Sequence, residues 1–174
     1  MRQFINIVEG VTDYPLFHGT DLFGAILILK DNTIRAHANL EGGTMMTDDP
    51  HGVSLTRSYR VAVEVGEWYE RAFPVVLVLD HNALSQSYKI NARSDPNTEE
   101  DEQEEFINRD ITNLERYLIS INTDESIFDK LIQDAETHVE IFDETKNYPM
   151  DAESWVAGLN HLREHPKLNV WKPR

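Results

Sequence analysis

Apolar residues fall along this chain in short runs that turn-forming residues separate, a pattern typical of short strands. The strongest run covers residues 74–80, and its continuous branched side chains predict a central strand buried on both faces. Further predicted strands cover residues 16–18, 33–36, 52–58, 88–91, 118–121 and a stretch that begins at Phe106. Within 52–58, the alternation of apolar and hydroxyl residues puts Ser54 and Thr56 on one face.

Apolar residues at helical spacing mark the helices. The first predicted helix covers residues 21–30, with Leu22, Ile26 and Leu29 on one face, and Thr20 or Asp21 serves as its N-cap. The other predicted helices cover residues 59–68, 125–142 and 151–164, the last followed by a tail interrupted by prolines. Strands therefore dominate the first part of the chain and helices the last part.

Composition narrows the class of protein. The chain has 174 residues, enough for one domain with a buried core. Its formal net charge of -15 argues against an extended nucleic-acid surface, because phosphate contacts need clustered Lys and Arg. Cysteine is absent, so we expect neither disulfides nor thiolate chemistry. The apolar runs are too short to cross a bilayer and the start is too polar for a secretory leader, so we expect a cytoplasmic protein without membrane contact.

Two patterns resemble functional sites but have simpler explanations. His161 to His165 match the H-x-x-E-H string of zinc peptidases, yet too little chain follows to supply a third ligand. We therefore predict no metal site. The run of carboxylates over residues 99–105 lacks calcium-loop spacing, and a solvated charge run is its simplest explanation. Its last members must nevertheless enter the strand at Phe106, where crowding of like charges disfavours ionisation of at least one carboxyl unless a cation is near.

Polar residues at the ends of predicted strands are the other candidates. His18-Gly19-Thr20 joins a strand to a helix, a junction where backbone N–H groups and polar side chains can meet a small anionic or amide-bearing ligand. Taken singly, His18 is typical of a packing residue, and Ser54 and Thr56 are typical of a half-buried strand. The order of these segments along the chain is more informative than any one of them.

In that order, Leu16-Phe17-His18-Gly19-Thr20, then Ser54-Leu55-Thr56-Arg57, then the glutamates before Phe106 resemble the motifs of the ADP-ribosyltransferase-like fold. Diphtheria-toxin-type and arginine-specific transferases share this fold with RNA 2′-phosphotransferases. The resemblance covers roughly residues 15–122 and looks closest to small phage and bacterial proteins, which would act in the host cytoplasm if phage-encoded. It implies an α+β fold with a split, mostly antiparallel sheet of short strands over residues 1–124. A helical C-terminal extension, residues 125–174, would pack on this core.

The resemblance implies that NAD is the substrate. ADP-ribose would pass to an intracellular macromolecule, expected to be a protein, or to water. His18 would bond the ribose 2′-hydroxyl of the adenosine half of NAD. The backbone of Gly19 would meet the nicotinamide carboxamide, with Thr20 beside it.

The other two motifs complete the implied site. Ser54 and Thr56 would support the pocket, and Arg57 would meet the pyrophosphate. A glutamate would bond the nicotinamide ribose and stabilise the oxocarbenium-like centre. We expect Glu105 in this role because it directly precedes the apolar strand, with Glu104 close behind; Glu102 also fits the pattern.

The sequence departs from the family in its middle motif, which is Ser-Leu-Thr instead of Ser-Thr-Ser, and Tyr59 and Tyr69 are only candidates for stacking on nicotinamide. One alternative is an RNA 2′-phosphotransferase, in which Arg35, Arg57 and Arg60 would hold the phosphate. A second alternative is an acidic inhibitor that occupies a basic surface of a host enzyme without catalysis.

Overall fold

A computed structural model describes residues 14–36, 52–67, 74–92, 104–124 and 152–171, which form an α+β fold. The strands are β1 (Leu16–Asp21), β2 (Thr33–Ile34), β3 (Val53–Thr56), β4 (Pro74–Leu79), β5 (Asn91–Ala92), β6 (Glu104–Ile107), β7 (Ile111–Thr112), β8 (Leu118–Asp124) and β9 (Leu168–Trp171). The helices are α1 (Leu22–Asp31), α2 (Tyr59–Glu67), α3 (His81–Ser85) and α4 (Ala152–Arg163), with a 3-10 helix at Leu114–Arg116. None of these helices is long and apolar enough to span a membrane.

Seven strands form one mostly antiparallel sheet in the order β5-β6-β3-β1-β4-β8-β9, and β2 and β7 form a separate pair. Only β8 and β9 run parallel. The sheet is weakly joined at its centre, because β1 and β3 share the single partnered pair Phe17–Thr56. By contrast, β1 pairs with β4 along its whole length, from Leu16–Leu79 to Asp21–Pro74.

The main core lies on one face of the sheet, beneath α1 and α4. Leu22, Ile26 and Leu29 of α1 are all buried, as the helical spacing predicts. In α4, the fully buried Trp155 stacks on Phe23 of α1 with ring centroids 4.0 Å apart. The two helices therefore close the same apolar layer.

Helix α2 covers the opposite face. Its buried Ala62 lies directly over β1, so close that a Cβ on Gly19 would overlap the Ala62 carbonyl. Val76 and Val78 of β4 are buried on the same face, because they pair with Gly19 and Phe17 of β1. The position of Gly19 is thus set by close approach of a helix to a strand.

The described elements confirm most of the predicted ones. Strands β3, β4 and β8 and helices α1, α2 and α4 lie where the sequence predicts them, and Asp21 caps α1 by accepting the N–H of Gly24 at 2.6 Å. Strand β1 continues past the predicted end at His18, and Gly19 and Thr20 pair with β4 instead of forming the predicted turn. The prediction of a strand over 88–91 was partly wrong, since only Asn91–Ala92 pair. The sequence also predicts a short N-terminal arm over residues 1–14, and all of it except Tyr14 lies outside the described residues, as does the predicted helix over 125–142.

The C-terminal region differs from the prediction of a helical extension. Residues 168–171, expected to form a tail, instead make β9, which pairs with β8 from Ile121–Leu168 to Asp124–Trp171. Residues 152–171 therefore contribute both a helix and a strand to the layers of the sheet. The prediction failed here because the strand is short and its partner is distant in sequence.

Candidate functional site

Ser54 contacts both other predicted motifs. Its carbonyl lies 3.1 Å from Nδ1 of His18, and its hydroxyl donates to Oε1 of Glu104 at 2.6 Å. A carbonyl only accepts hydrogen bonds, so Nδ1 of His18 carries the proton in this contact, and in the neutral ring Nε2 is then an acceptor. One serine on β3 thus connects the histidine of β1 to a glutamate of β6.

The weak joint between β1 and β3 explains the first contact. Beyond the Phe17–Thr56 pair the two strands no longer form a ladder. The His18 ring then reaches the Ser54 carbonyl, a group that a continuing ladder would satisfy with a backbone N–H. His18 is half-buried and Ser54 is exposed, so the contact lies at the surface end of this joint.

The pairing of β3 with β6 separates the two candidate glutamates. Thr56 is opposite Glu104, whereas Leu55 is opposite Glu105. Because side chains alternate along a strand, Glu104 lies on the face of Ser54 and Thr56, and Glu105 lies on the other face. Thr56 also pairs with Phe17, so His18, the neighbour of Phe17, projects from the face of Glu105. The two neighbouring carboxylates therefore have different surroundings.

Glu105 is only 3 % exposed and forms an ion pair with Arg57. The Arg57 guanidinium also lies over the ring of Tyr14, 4.1 Å from its centroid. Both interactions hold the Arg57 side chain on the face of the sheet that carries Glu105. This face is opposite the one that carries Ser54 and Glu104. Sequence reasoning missed Tyr14, because an isolated tyrosine before a strand carries no signal of its partner.

Gly19, Thr20 and Thr56 make close local contacts. Gly19 lies against α2, and the hydroxyl of Thr20 fills the space where a Cβ on Gly24 would be. Thr56 is buried, and its hydroxyl accepts the backbone N–H of Ser58 at 3.0 Å. Thr56 therefore helps to turn the chain from β3 into α2.

Tyr59 is the aromatic candidate that the structure describes, while Tyr69 lies outside the described residues. Its ring meets Phe17 edge-on, with centroids 5.5 Å apart. Burial raises the pKa of the Tyr59 hydroxyl, and a hydrogen bond with Asn122 partly offsets this effect. Tyr59 thus connects α2 to β1 and β8 rather than to the glutamates of β6.

The other basic candidates do not converge with Ser54. Arg35 pairs with Asp31 at 2.7 Å, and Arg60 pairs with Glu64 at 3.1 Å, each one turn away in sequence. His165, the last residue of the H-x-x-E-H match, is also engaged, since it contacts Glu115 at 2.7 Å. Among the described residues, no group of three His, Cys, Asp or Glu side chains is placed to hold a metal.

A surface cavity of about 560 Å³ lies away from these motifs, with a described lining of Ser87, Tyr88, Arg109, Asp110 and Thr112. Its polar groups bond to the protein itself. Arg109 donates to the Ser87 carbonyl at 2.6 Å, and the Tyr88 hydroxyl accepts the Thr112 N–H at 2.9 Å. These contacts stabilise a turn and offer no reactive group, so we place the candidate site at Ser54.

No model of a known protein family matches this chain, and comparison with curated proteins and with solved structures gave no match. The candidate site therefore rests on the geometry of its residues.

Proposed function

We propose that this protein cleaves NAD between nicotinamide and ribose and passes the ADP-ribosyl group to a macromolecule or to water. The observation that carries the proposal is the contact of Ser54 with both His18 and Glu104. The three motifs whose order resembles an ADP-ribosyltransferase are thus neighbours at the joint between β1 and β3. His18 and Glu104 project from opposite faces of the sheet there, so NAD would lie across this joint to reach both.

The chemistry needs an anion beside the developing positive charge. When the bond between ribose C1 and the nicotinamide nitrogen breaks, nicotinamide leaves with the electron pair and C1 becomes oxocarbenium-like. A carboxylate held against the ribose stabilises this centre, as carboxylates do in glycosidases. An oxygen or nitrogen nucleophile then bonds to C1 and loses its proton to a base or to water.

Glu104 suits this role better than Glu105. Its carboxylate is half-buried, and the Ser54 hydroxyl fixes one of its oxygens. Glu105 is only 3 % exposed and pairs with Arg57, so a bound ribose has little access to its carboxylate. We therefore assign the carboxylate that contacts the nicotinamide ribose to Glu104.

His18 would orient the other ribose. With its Nδ1 proton directed at the Ser54 carbonyl, Nε2 is the nitrogen of the neutral ring that can accept a hydrogen bond. An acceptor suits a ribose hydroxyl, which has a proton to donate. NAD is the expected substrate, and the expected acceptor is an intracellular protein.

The pairing of the arginines favours this function over an RNA 2′-phosphotransferase. A terminal phosphate needs several converging cations. Arg35 and Arg60 each pair with an acidic residue of their own segment, and Arg57 pairs with Glu105.

The test measures, by chromatography, the release of nicotinamide from NAD by the purified protein. We expect release by the wild type, and a loss of about 10²-fold in kcat/KM for His18→Ala, because the ribose is no longer oriented. Glu153→Gln, which removes an exposed carboxylate from α4, is the matched control and should not change the rate.

The proposed reaction is wrong if the wild type neither binds nor cleaves NAD. In that case, a partner with a basic surface should be captured as well by a His18→Ala, Glu104→Ala double variant as by the wild type. That result would instead support the acidic inhibitor.

A further inference from the structure

Two side-chain pairs join β3 to β6, one on each face of the sheet. Ser54 bonds Glu104 on one face, and Arg57 pairs with Glu105 on the other. Because Glu104 and Glu105 are adjacent in the chain, an interaction that fixes the backbone at Glu105 also fixes the point from which Glu104 projects.

We propose that Arg57, Glu105 and Tyr14 form a clamp that positions Glu104 for the reaction, with Arg57 acting through Glu105 and not on the substrate. This inference rests on the proposed function. It gives Arg57 a positioning role, where the sequence predicts a contact with the pyrophosphate of NAD.

Burial distinguishes the two partners of the clamp. The Glu105 side chain is 4 % exposed, so its carboxylate is removed from water, whereas the Arg57 side chain is 35 % exposed. Tyr14 covers the guanidinium with its ring. A buried carboxylate that loses its only cation among the described residues must protonate or move toward water, and either change shifts the start of β6.

The clamp uses one part of the guanidinium. A single Arg57 nitrogen donates to Oε1 of Glu105, and the buried Nε has no hydrogen-bond partner among the described residues. A lysine ammonium can make the same single contact and can also lie over an aromatic ring. Arg57→Lys should therefore preserve part of the clamp, and Arg57→Met should remove it while keeping much of the side-chain volume.

The experiment compares the NAD kinetics of Arg57→Met, Arg57→Lys and Glu105→Gln at a temperature where circular dichroism shows each variant folded. A shift of about 1 Å in a catalytic group can cost about 10²-fold, so we expect kcat to fall at least about 10-fold in Arg57→Met and Glu105→Gln with KM within about 2-fold. Arg57→Lys keeps the charge but loses the planar stacking on Tyr14, so its kcat should lie between those of Arg57→Met and the wild type.

The matched control is Arg116→Met, which removes another guanidinium that lies over a tyrosine, Tyr117, 5.7 Å from its ring centroid. It should change neither kcat nor KM. A clamp that only stabilises the fold would lower the melting temperature of Arg57→Met and leave kcat unchanged in folded protein, and that outcome overturns the proposal. A rise in KM at constant kcat overturns it too, because Arg57 would then bind NAD directly.

Hydrogen exchange separates failure of the clamp from failure of the proposed function. If the wild type does not cleave NAD, the proposed function is wrong. Faster amide exchange in residues 53–57 and 104–107 of Arg57→Met, relative to β4, would still support the clamp as a device that positions Glu104. Unchanged exchange in those residues would rule the clamp out.

Discussion

At the scale of single residues, Ser54 makes two contacts, one through its backbone and one through its side chain. Its carbonyl belongs to the backbone and remains after any substitution, whereas its hydroxyl is the group that holds Glu104. The link to His18 and the link to Glu104 can therefore be separated by mutation.

Ser54→Ala should remove the Glu104 contact and leave the His18 contact. We expect kcat for NAD cleavage to fall about 10-fold or more, because a carboxylate that has lost its orienting hydrogen bond samples unproductive positions. Stability measured by urea unfolding should change by less than about 0.5 kcal/mol, since Ser54 is exposed. Ser54→Thr keeps the hydroxyl and should recover most of the rate; equal rates in all three proteins would contradict the role of Ser54.

Gly19 is required for a different reason. In Gly19→Ala the added methyl would overlap the Ala62 carbonyl, a backbone group that cannot rotate away, and we expect a loss of about 1–3 kcal/mol in urea unfolding. Gly158→Ala in α4 is the control. Its methyl would meet only the Ile26 side chain, which can shift, and alanine favours the helix. A smaller loss for Gly19→Ala than for Gly158→Ala would refute this account.

At the scale of elements, the connection between α4 and β9 is fastened to the 3-10 helix before β8. His165 Nε2 contacts Glu115 Oε1 at 2.7 Å, and Lys167 Nζ donates to the Glu115 carbonyl at 2.7 Å. The backbone N–H of Lys167 donates to Nδ1 of His165 at 3.2 Å, so the neutral His165 ring carries its proton on Nε2. These contacts fix the point at which β9 joins the sheet.

This network predicts a pH dependence of stability. Partial burial raises the pKa of Glu115, but hydrogen bonds from Lys167 and His165 and the charge of Lys167 outweigh it, so the pKa in the folded protein lies below the ordinary 4.5. A lowered folded pKa means that the Glu115 carboxylate contributes stability above pH 4.5, and that this contribution is lost as the pH falls through the folded value.

The measurement is urea unfolding of the wild type and Glu115→Gln from pH 7 to pH 3. The wild type should be the more stable protein at pH 7, and the difference should shrink below pH 4.5. A difference that stays constant over this range would show that the Glu115 charge does not stabilise the fold.

The elements also show what the sequence can and cannot predict. Strand β4 and helix α1 were predictable because their apolar patterns are local. The roles of Glu104 and Glu105 were not, because the face of each glutamate depends on the register of β6 against β3, some fifty positions away. Strand β9 was missed for a related reason: its four residues gain their structure from pairing with β8.

At the scale of the whole molecule, one apolar layer connects the N-terminal and C-terminal parts of the described chain. Trp155 of α4 is fully buried and stacks on Phe23 of α1, and Leu159 and Leu162 follow it into the core. Helix α4 is therefore part of the layer that supports β1, the strand that carries His18.

Trp155→Ala tests whether α4 unfolds together with the sheet. Truncation of a buried tryptophan costs about 3–5 kcal/mol, so we expect a large loss of stability and one cooperative transition for the whole sheet in urea unfolding followed by circular dichroism. Trp155→Phe keeps the ring stacked on Phe23 and should lose much less. A separate early transition that leaves the rest of the fold intact would mean that α4 unfolds independently.

The central claim, that Glu104 stabilises the cleavage of NAD, is tested most directly by single-turnover nicotinamide release from wild type, Glu104→Gln and Glu105→Gln at saturating NAD. The account predicts that Glu104→Gln loses about 10³-fold or more, because the oxocarbenium-like centre loses its anion, while Glu105→Gln loses only about 10-fold through misplacement of its neighbour. Comparable rates for wild type and Glu104→Gln, or a larger loss in Glu105→Gln than in Glu104→Gln, would contradict it.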